Sequence, residues 1–131
     1  MTLIYSNPES LHKPSGYTHV VQAMVENTVW ISGQIAMDVN GKLVGEGDLE
    51  AQTTQVFENL KSALASFGAG FEHVVKMMYF VVDMKPEYRD VIVKVRDRYL
   101  PDKRPASSLL GVSALALPGL MIEIEVVAVH P

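Results

Sequence analysis

The stretch Val74-Val75-Lys76-Met77-Met78-Tyr79-Phe80-Val81-Val82-Asp83 is apolar at both alternate sets of positions, apart from Lys76 and the closing Asp83. Successive side chains of a strand point to opposite faces. A segment apolar on both faces therefore reads as a central strand covered from two sides. Residues 121–129, Met-Ile-Glu-Ile-Glu-Val-Val-Ala-Val, repeat the pattern with Glu123 and Glu125 as the exceptions. Two such strands predict the middle of a sheet.

The segments around them say what lies against that sheet. Asp48 is placed to cap a helix. Leu49, Val56, Leu60, Ala63, Leu64 and Phe67 then fall on one stripe of it, and Gly68 suits its left-handed end. Pro86 opens a second helix with a stripe of Tyr88, Val91, Ile92, Val95 and Tyr99, and Pro101 stops it. Residues 107–116 and 121–129 read as the last two strands, separated by a Pro118-Gly119 turn.

On the amino-terminal side, Leu3-Ile4-Tyr5 reads as a short edge strand. A loop punctuated by Pro8, Pro14 and Gly16 follows. Residues 17–24 and 28–37 read as strands joined tightly at Glu26-Asn27. In the second, Val29, Ile31, Gly33, Ile35 and Met37 share one face, and Trp30, Ser32, Gln34 and Ala36 the other. Asn40-Gly41 is the best hairpin-turn dipeptide. The order β-β-α-β-α-β-β, without linker or repeat, predicts one α+β domain over residues 1–131 with two helices on one face of the sheet. The second apolar face then needs a cover, and another copy of the chain is the simplest.

Composition narrows the chemistry. The chain has 131 residues, 48% of them apolar and 20% charged, and no cysteine. That is enough chain for a core without staples. It excludes disulfides, cysteine-held metals and a thiol nucleophile. His12, His19, His73 and His130 are scattered, which argues against a metal site. A net charge of −4 argues against general nucleic-acid binding. Neither a leader peptide nor an apolar membrane span is evident, so the expected location is cytoplasmic, with no membrane partner.

Three segments carry a family resemblance: Ile31-Ser32-Gly33-Gln34-Ile35, Pro105-Ala106-Ser107-Ser108 leading into Gly111-Val112, and residues 120–129. With the length and element order, the chain resembles the Rid (YjgF, L-PSP) family of reactive-intermediate deaminases. The resemblance implies a chorismate-mutase-like fold and a homotrimer with a cleft at each subunit boundary. It also implies hydrolysis of enamines or imines to a keto product and ammonia, without metal or organic cofactor.

By the same resemblance, Glu123 holds the attacking water. Tyr17, Ser32, Gly33 and the backbone near Leu109 line the substrate cleft. The family's arginine for the substrate carboxylate falls at Ser107, and a polar position of the later helix at Val93. A hydroxyl offers one neutral hydrogen bond where a guanidinium offers a charged pair. The usual 2-imino acids are therefore expected to be poor substrates, unless Arg89, Arg96, Arg98 or Arg104 supplies the charge. Arg104 lies three residues before Ser107, an odd offset that predicts the opposite strand face.

The residues themselves leave alternatives open. Glu123 and Glu125 share a strand face, as solvated or salt-bridged carboxylates or with one held in a semi-apolar cleft at a raised pKa. Tyr17 is a core tyrosine or a pocket rim. Ser32 has no base near it in sequence, which argues against a nucleophile. A metabolite-binding or interaction module using the same cleft, without catalysis, is the second reading. RNA cleavage is the third. It rests on Arg89, Lys94, Arg96, Arg98, Lys103 and Arg104, among which acidic residues interleave as on a solvated helix face.

Overall fold

The computed structural model describes residues 2–24 and 27–130. Among these residues six strands and two α-helices run in the order β1 (Thr2–Ser6), β2 (Val20–Met24), β3 (Asn27–Ile35), α1 (Leu49–Ala65), β4 (Val74–Val82), α2 (Pro86–Arg96), β5 (Ala106–Val112) and β6 (Ile122–His130), with a single 3-10 turn at Phe71–His73 before β4. Strands β3, β6, β4 and β5 form one mixed sheet in that spatial order. The two strands apolar on both faces, β4 and β6, are its interior pair, as their sequence predicts.

The helices begin and end where their caps dictate. Asp48 Oδ1 accepts from Ala51 N at 3.1 Å at the start of α1. Its end is closed by Gly68 at φ +72°, a conformation that glycine adopts without strain. Phe67 lies beyond the last helical turn and is exposed, so the predicted stripe ends one turn earlier, at Leu64. Val56, Phe57 and Leu60 of α1 and Ile92 and Val95 of α2 bury against Met77, Tyr79 and Val81 of β4 and Ile122, Ile124 and Val126 of β6. Each such side chain contributes roughly 1.5–3 kcal/mol of hydrophobic stabilisation.

This places both helices on one face. Met78 lies opposite Ser108 and Glu125, and Phe80 opposite Leu110 and Glu123. Those positions, with Val127 and Trp30, make up the other face, and no helix covers it among the described residues. Trp30 is 77% exposed there, which a lone soluble chain rarely permits for the largest apolar side chain.

Two predictions about the amino-terminal half are corrected. The pairing of β3 with β6 slips between Ile31, opposite Val126, and Gln34, opposite Ile124. Three steps on β3 match two on β6, which is a β-bulge. The bulge reverses the alternation, so Ala36, not Ile35, continues the buried face begun by Val29 and Ile31. Strict period two had put Ala36 with Trp30. Secondly, β2 pairs with β1 in a separate two-stranded sheet and not with β3. Thr18 N donates to Pro105 O at 3.1 Å and the Thr18 hydroxyl donates to Arg104 O. These bonds anchor the start of β2 beside the entry to β5. Of the predicted Glu26-Asn27 connection, Glu26 lies outside the described residues. The strand predicted over 107–116 stops at Val112, and an irregular segment leads to Gly119.

Candidate functional site

A cavity of about 290 Å³ opens on the helix side of the sheet between β5, α2 and the amino-terminal loop. Ser107 and Leu109 pair with Met77 and Tyr79 in the parallel β4–β5 register, so their side chains point towards α2. Arg89, Val93 and Arg96 line the cavity from α2, and Ser15 and Tyr17 from the loop. Arg89 and Arg96 are seven residues apart, close to two helical turns, so they share a helix face. Tyr17 comes from the segment that the Thr18 bonds hold at Pro105. Its hydroxyl lies 2.6 Å from His12 Nε2, and the His12 ring packs edge-on against His19, centroids 4.7 Å apart.

Charge at this cavity is fixed in place. The Arg96 side chain is 16% exposed, and its Nε donates to Asp97 Oδ1 at 3.1 Å. The guanidinium lies over Gly16, where a Cβ would come within 2.8 Å of Nη1. Gly16 also takes φ +76°, so only glycine fits both the turn and the close approach. Arg104 Nη2 reaches the same Asp97 oxygen at 3.1 Å, and Arg104 Nη1 is buried without a hydrogen-bond partner among the described residues. Burial holds the Tyr79 phenol neutral far above the ordinary tyrosine range; the Arg96 and Arg104 charges pull the other way and do not offset it.

Glu123 lies on the opposite face. It stands opposite Ile35 of β3 and Phe80 of β4, just past the bulge. Its side chain packs against Gly33, where a Cβ would come within 2.6 Å of the carboxylate carbon. Ser32 lies on the same face, lining a second concavity with Trp30, Lys76, Met78, Glu125 and Val127. The six sequence-derived site residues thus form two groups. Tyr17, Ser107 and Leu109 meet on the helix side; Ser32, Gly33 and Glu123 gather on the open side. The sheet separates the groups within one chain.

A family model described as Endoribonuclease L-PSP matches residues 9–130. The crystal structure of YyfB from Yersinia pestis, a protein of the conserved Rid family, superposes with a TM-score of 0.92 at 40% identity, covering 99% of this chain and 100% of that one. This chain belongs to the Rid (YjgF, L-PSP) family. Its curated relatives include protein DfrA of Myxococcus xanthus, 36% identical over 113 residues, 86% of this chain and 84% of the relative. They also include the 3-aminoacrylate deaminase RutC of Acinetobacter baylyi, 34% identical over 110 residues, 84% and 85% of the two chains.

The cavity at the Ser107 position of this Rid-family chain contains positive charge, supplied from α2. Of the four arginines considered from sequence, Arg89 and Arg96 line it. Arg98 points away to Glu50 Oε1 at 3.0 Å. Arg104 departs from its predicted face. It precedes β5, so strand alternation does not apply to it, and it lies with Arg96 on Asp97. Val93 lines the cavity too.

Sequence reasoning missed His12, Gly16 and Asp97. The seven-residue spacing of Arg89 and Arg96 was readable as one helix face. The contacts of His12 and Gly16 were not, because the irregular loop bringing them there has no periodicity. No cluster of three or more metal-ligating side chains occurs among the described residues, and no helix there is long and apolar enough to cross a membrane.

Proposed function

We propose that this protein hydrolyses the C=N bond of a small enamine- or imine-derived metabolite, releasing ammonia, in clefts completed between copies of a homotrimer. Water adds through its oxygen to the imine carbon. Glu123 holds that water, takes its proton and delivers it to nitrogen. Glu123 then carries the proton of the new hydroxyl to the amino nitrogen as the C–N bond breaks, leaving a carbonyl and ammonia. The backbone near Leu109 polarises the reacting group, and Tyr17 walls the cleft. Ser32 and Gly33 border the water site, and Ser107 faces the substrate. No metal or organic cofactor takes part.

The observation that carries this reading is the seating of Glu123 against Gly33. A strand carboxylate with a fixed position next to bare backbone is what water positioning requires. The relation to a named 3-aminoacrylate deaminase supports the reaction class. The uncovered apolar face supports association, which lets a second copy bring its own group of site residues to the first. RNA cleavage fits less well. Lys94 and Arg98 are both engaged by Glu50, and Arg96 and Arg104 are held largely buried on Asp97, so these four form no exposed basic stripe for a phosphate backbone to follow.

The test is ammonia release from enamines and imines generated in situ, with Glu123→Gln as the matched control. Turnover that Glu123→Gln abolishes, with assembly intact, supports the hydrolase. Ligand binding without turnover in either form replaces it with a non-catalytic metabolite-binding protein. Sedimentation as a lone protomer removes the shared cleft.

A further inference from the structure

Two guanidiniums, those of Arg89 and Arg96, line the helix-side cavity, and Asp97 and Arg104 adjoin Arg96 outside that lining. Arg96 and Arg104 share a single oxygen of Asp97, and Arg89 lines the cavity with no carboxylate partner among the described residues. Two positive charges are left unbalanced. The Arg96 and Arg104 side chains are only 16% and 19% exposed, so water compensates them poorly. Arg104 Nη1 lacks an acceptor among the described residues. Burying a charged donor without a partner is costly, and its uncompensated charge beside Arg96 favours an anion in the cavity.

The geometry suits an anion in other ways. Arg96 is pinned through Nε by Asp97 and over Gly16. Its two Nη groups make no hydrogen bond among the described residues. A guanidinium held at Nε presents its Nη edge as a ready fork for two acceptor oxygens. Ser15, Tyr17 and Ser107 add hydroxyls around the same space. The volume, about 290 Å³, is at the lower limit for small-molecule sites.

We propose that this cavity binds a small dianion, a dicarboxylate or a phosphate monoester, with Arg96 and Arg89 as its principal charge partners. A monoanion would leave one of the two excess charges uncompensated; a dianion matches both. The inference rests on the hydrolase reading only in naming the substrate class of that site. In that setting the dianion is the recognition end of the substrate, gripped from α2 and not from β5.

The test is calorimetric titration of the intact protein at constant ionic strength with malonate, methyl phosphate and propionate. Malonate, methyl phosphate or both should bind at least about tenfold more tightly than propionate. The two dianions tell the carboxylate source from the phosphate source. Arg89→Gln, at an exposed position safe for folding, and Arg96→Gln should each weaken the preferred dianion by a similar factor. Arg96→Lys should restore part of the loss, and Arg98→Gln, engaged with Glu50, should change nothing. Equal affinity for dianion and monoanion, or binding indifferent to Arg89 and Arg96, overturns the proposal. C=N turnover without dianion preference would sink this inference alone. Dianion binding without any turnover would sink the hydrolase and leave the anion site standing.

Discussion

Gly33 and Glu123 touch across the β3–β6 pair so closely that a Cβ at Gly33 would displace the Glu123 carboxylate from where it stands. The glycine is not there for a left-handed turn, since its φ is not positive. It is there because the bulge at Ser32-Gly33 brings backbone to where the glutamate side chain stands.

Gly33→Ala is therefore expected to separate placement of the carboxylate from its presence. The atoms a new methyl would strike are the end of the Glu123 side chain, which can rotate away. The fold should lose less than about 1 kcal/mol, read as a small shift in a urea transition. Hydrolysis should fall roughly 100-fold or more, the scale of losing a positioned proton-transfer group. Full turnover in Gly33→Ala, beside a dead Glu123→Gln, would show that the position of the carboxylate does not matter.

A second prediction concerns Gln52, a fully buried polar side chain on α1. Its Nε2 donates to Gly45 O at 3.1 Å and Gly119 O at 2.9 Å, and its Oε1 accepts from Met121 N at 2.8 Å. One side chain thus ties the helix start to the loop before it and to the entry of β6. Gln52→Ala leaves three backbone groups at partly buried positions without that partner, at about 1–3 kcal/mol each where they stay dry. The expected loss is roughly 3 kcal/mol in chemical denaturation, with some relief from entering water. A change below about 1 kcal/mol would mean that the three groups find other partners.

Much of this architecture was legible because it follows from periodicity. The interior positions of β4 and β6 were readable from their two-faced apolar pattern, and both helices from their stripes and from Asp48, Gly68 and Pro86. What failed has no periodic signature. The bulge in β3 adds one residue and moves Ala36 into the core. The placement of β1–β2 beside β5 depends on Thr18 bonds to residues more than eighty positions away. Gln52 sits on the buried stripe of α1, but nothing local announces the three backbone groups it satisfies. At the candidate site, Ser107 and Val93 could be placed by likeness. The Arg96–Asp97–Arg104 arrangement emerges only once α2 and the entry to β5 are seen together.

The uncovered sheet face leads to a third prediction. Met78 lies at its centre, half-buried, directly opposite Glu125. Met78→Glu places two carboxylates side by side on a surface that the proposed trimer must dehydrate. Like charges opposite each other in a sheet cost the strand pair only up to about 1 kcal/mol, a smaller effect than dehydrating both carboxylates at the subunit contact. Sedimentation should show a smaller species than the unaltered protein while far-ultraviolet circular dichroism is kept. An unchanged sedimentation coefficient would move the subunit contact to another surface.

The last prediction is an alkaline one. The Tyr99 hydroxyl donates to Glu58 Oε2 at 2.8 Å, and its ring stacks on Phe57 at 5.0 Å between centroids. Burial first, and then the hydrogen bond to Glu58 and its charge, push the phenol up to about 12. An unfolded tyrosine titrates near 10. Between these values the unfolded chain gives up the proton and the folded chain keeps it. The folded state then binds more protons, so stability falls as pH rises. The contribution is fully present below pH 10 and is lost progressively towards pH 12. Tyr79 and Tyr5, both raised by burial, act in the same direction and remain in the variant. Tyr99→Phe should therefore flatten the decline in urea stability above pH 10 without abolishing it. A slope identical to that of the unaltered protein would show that Tyr99 ionises as readily in the folded chain as in the unfolded one.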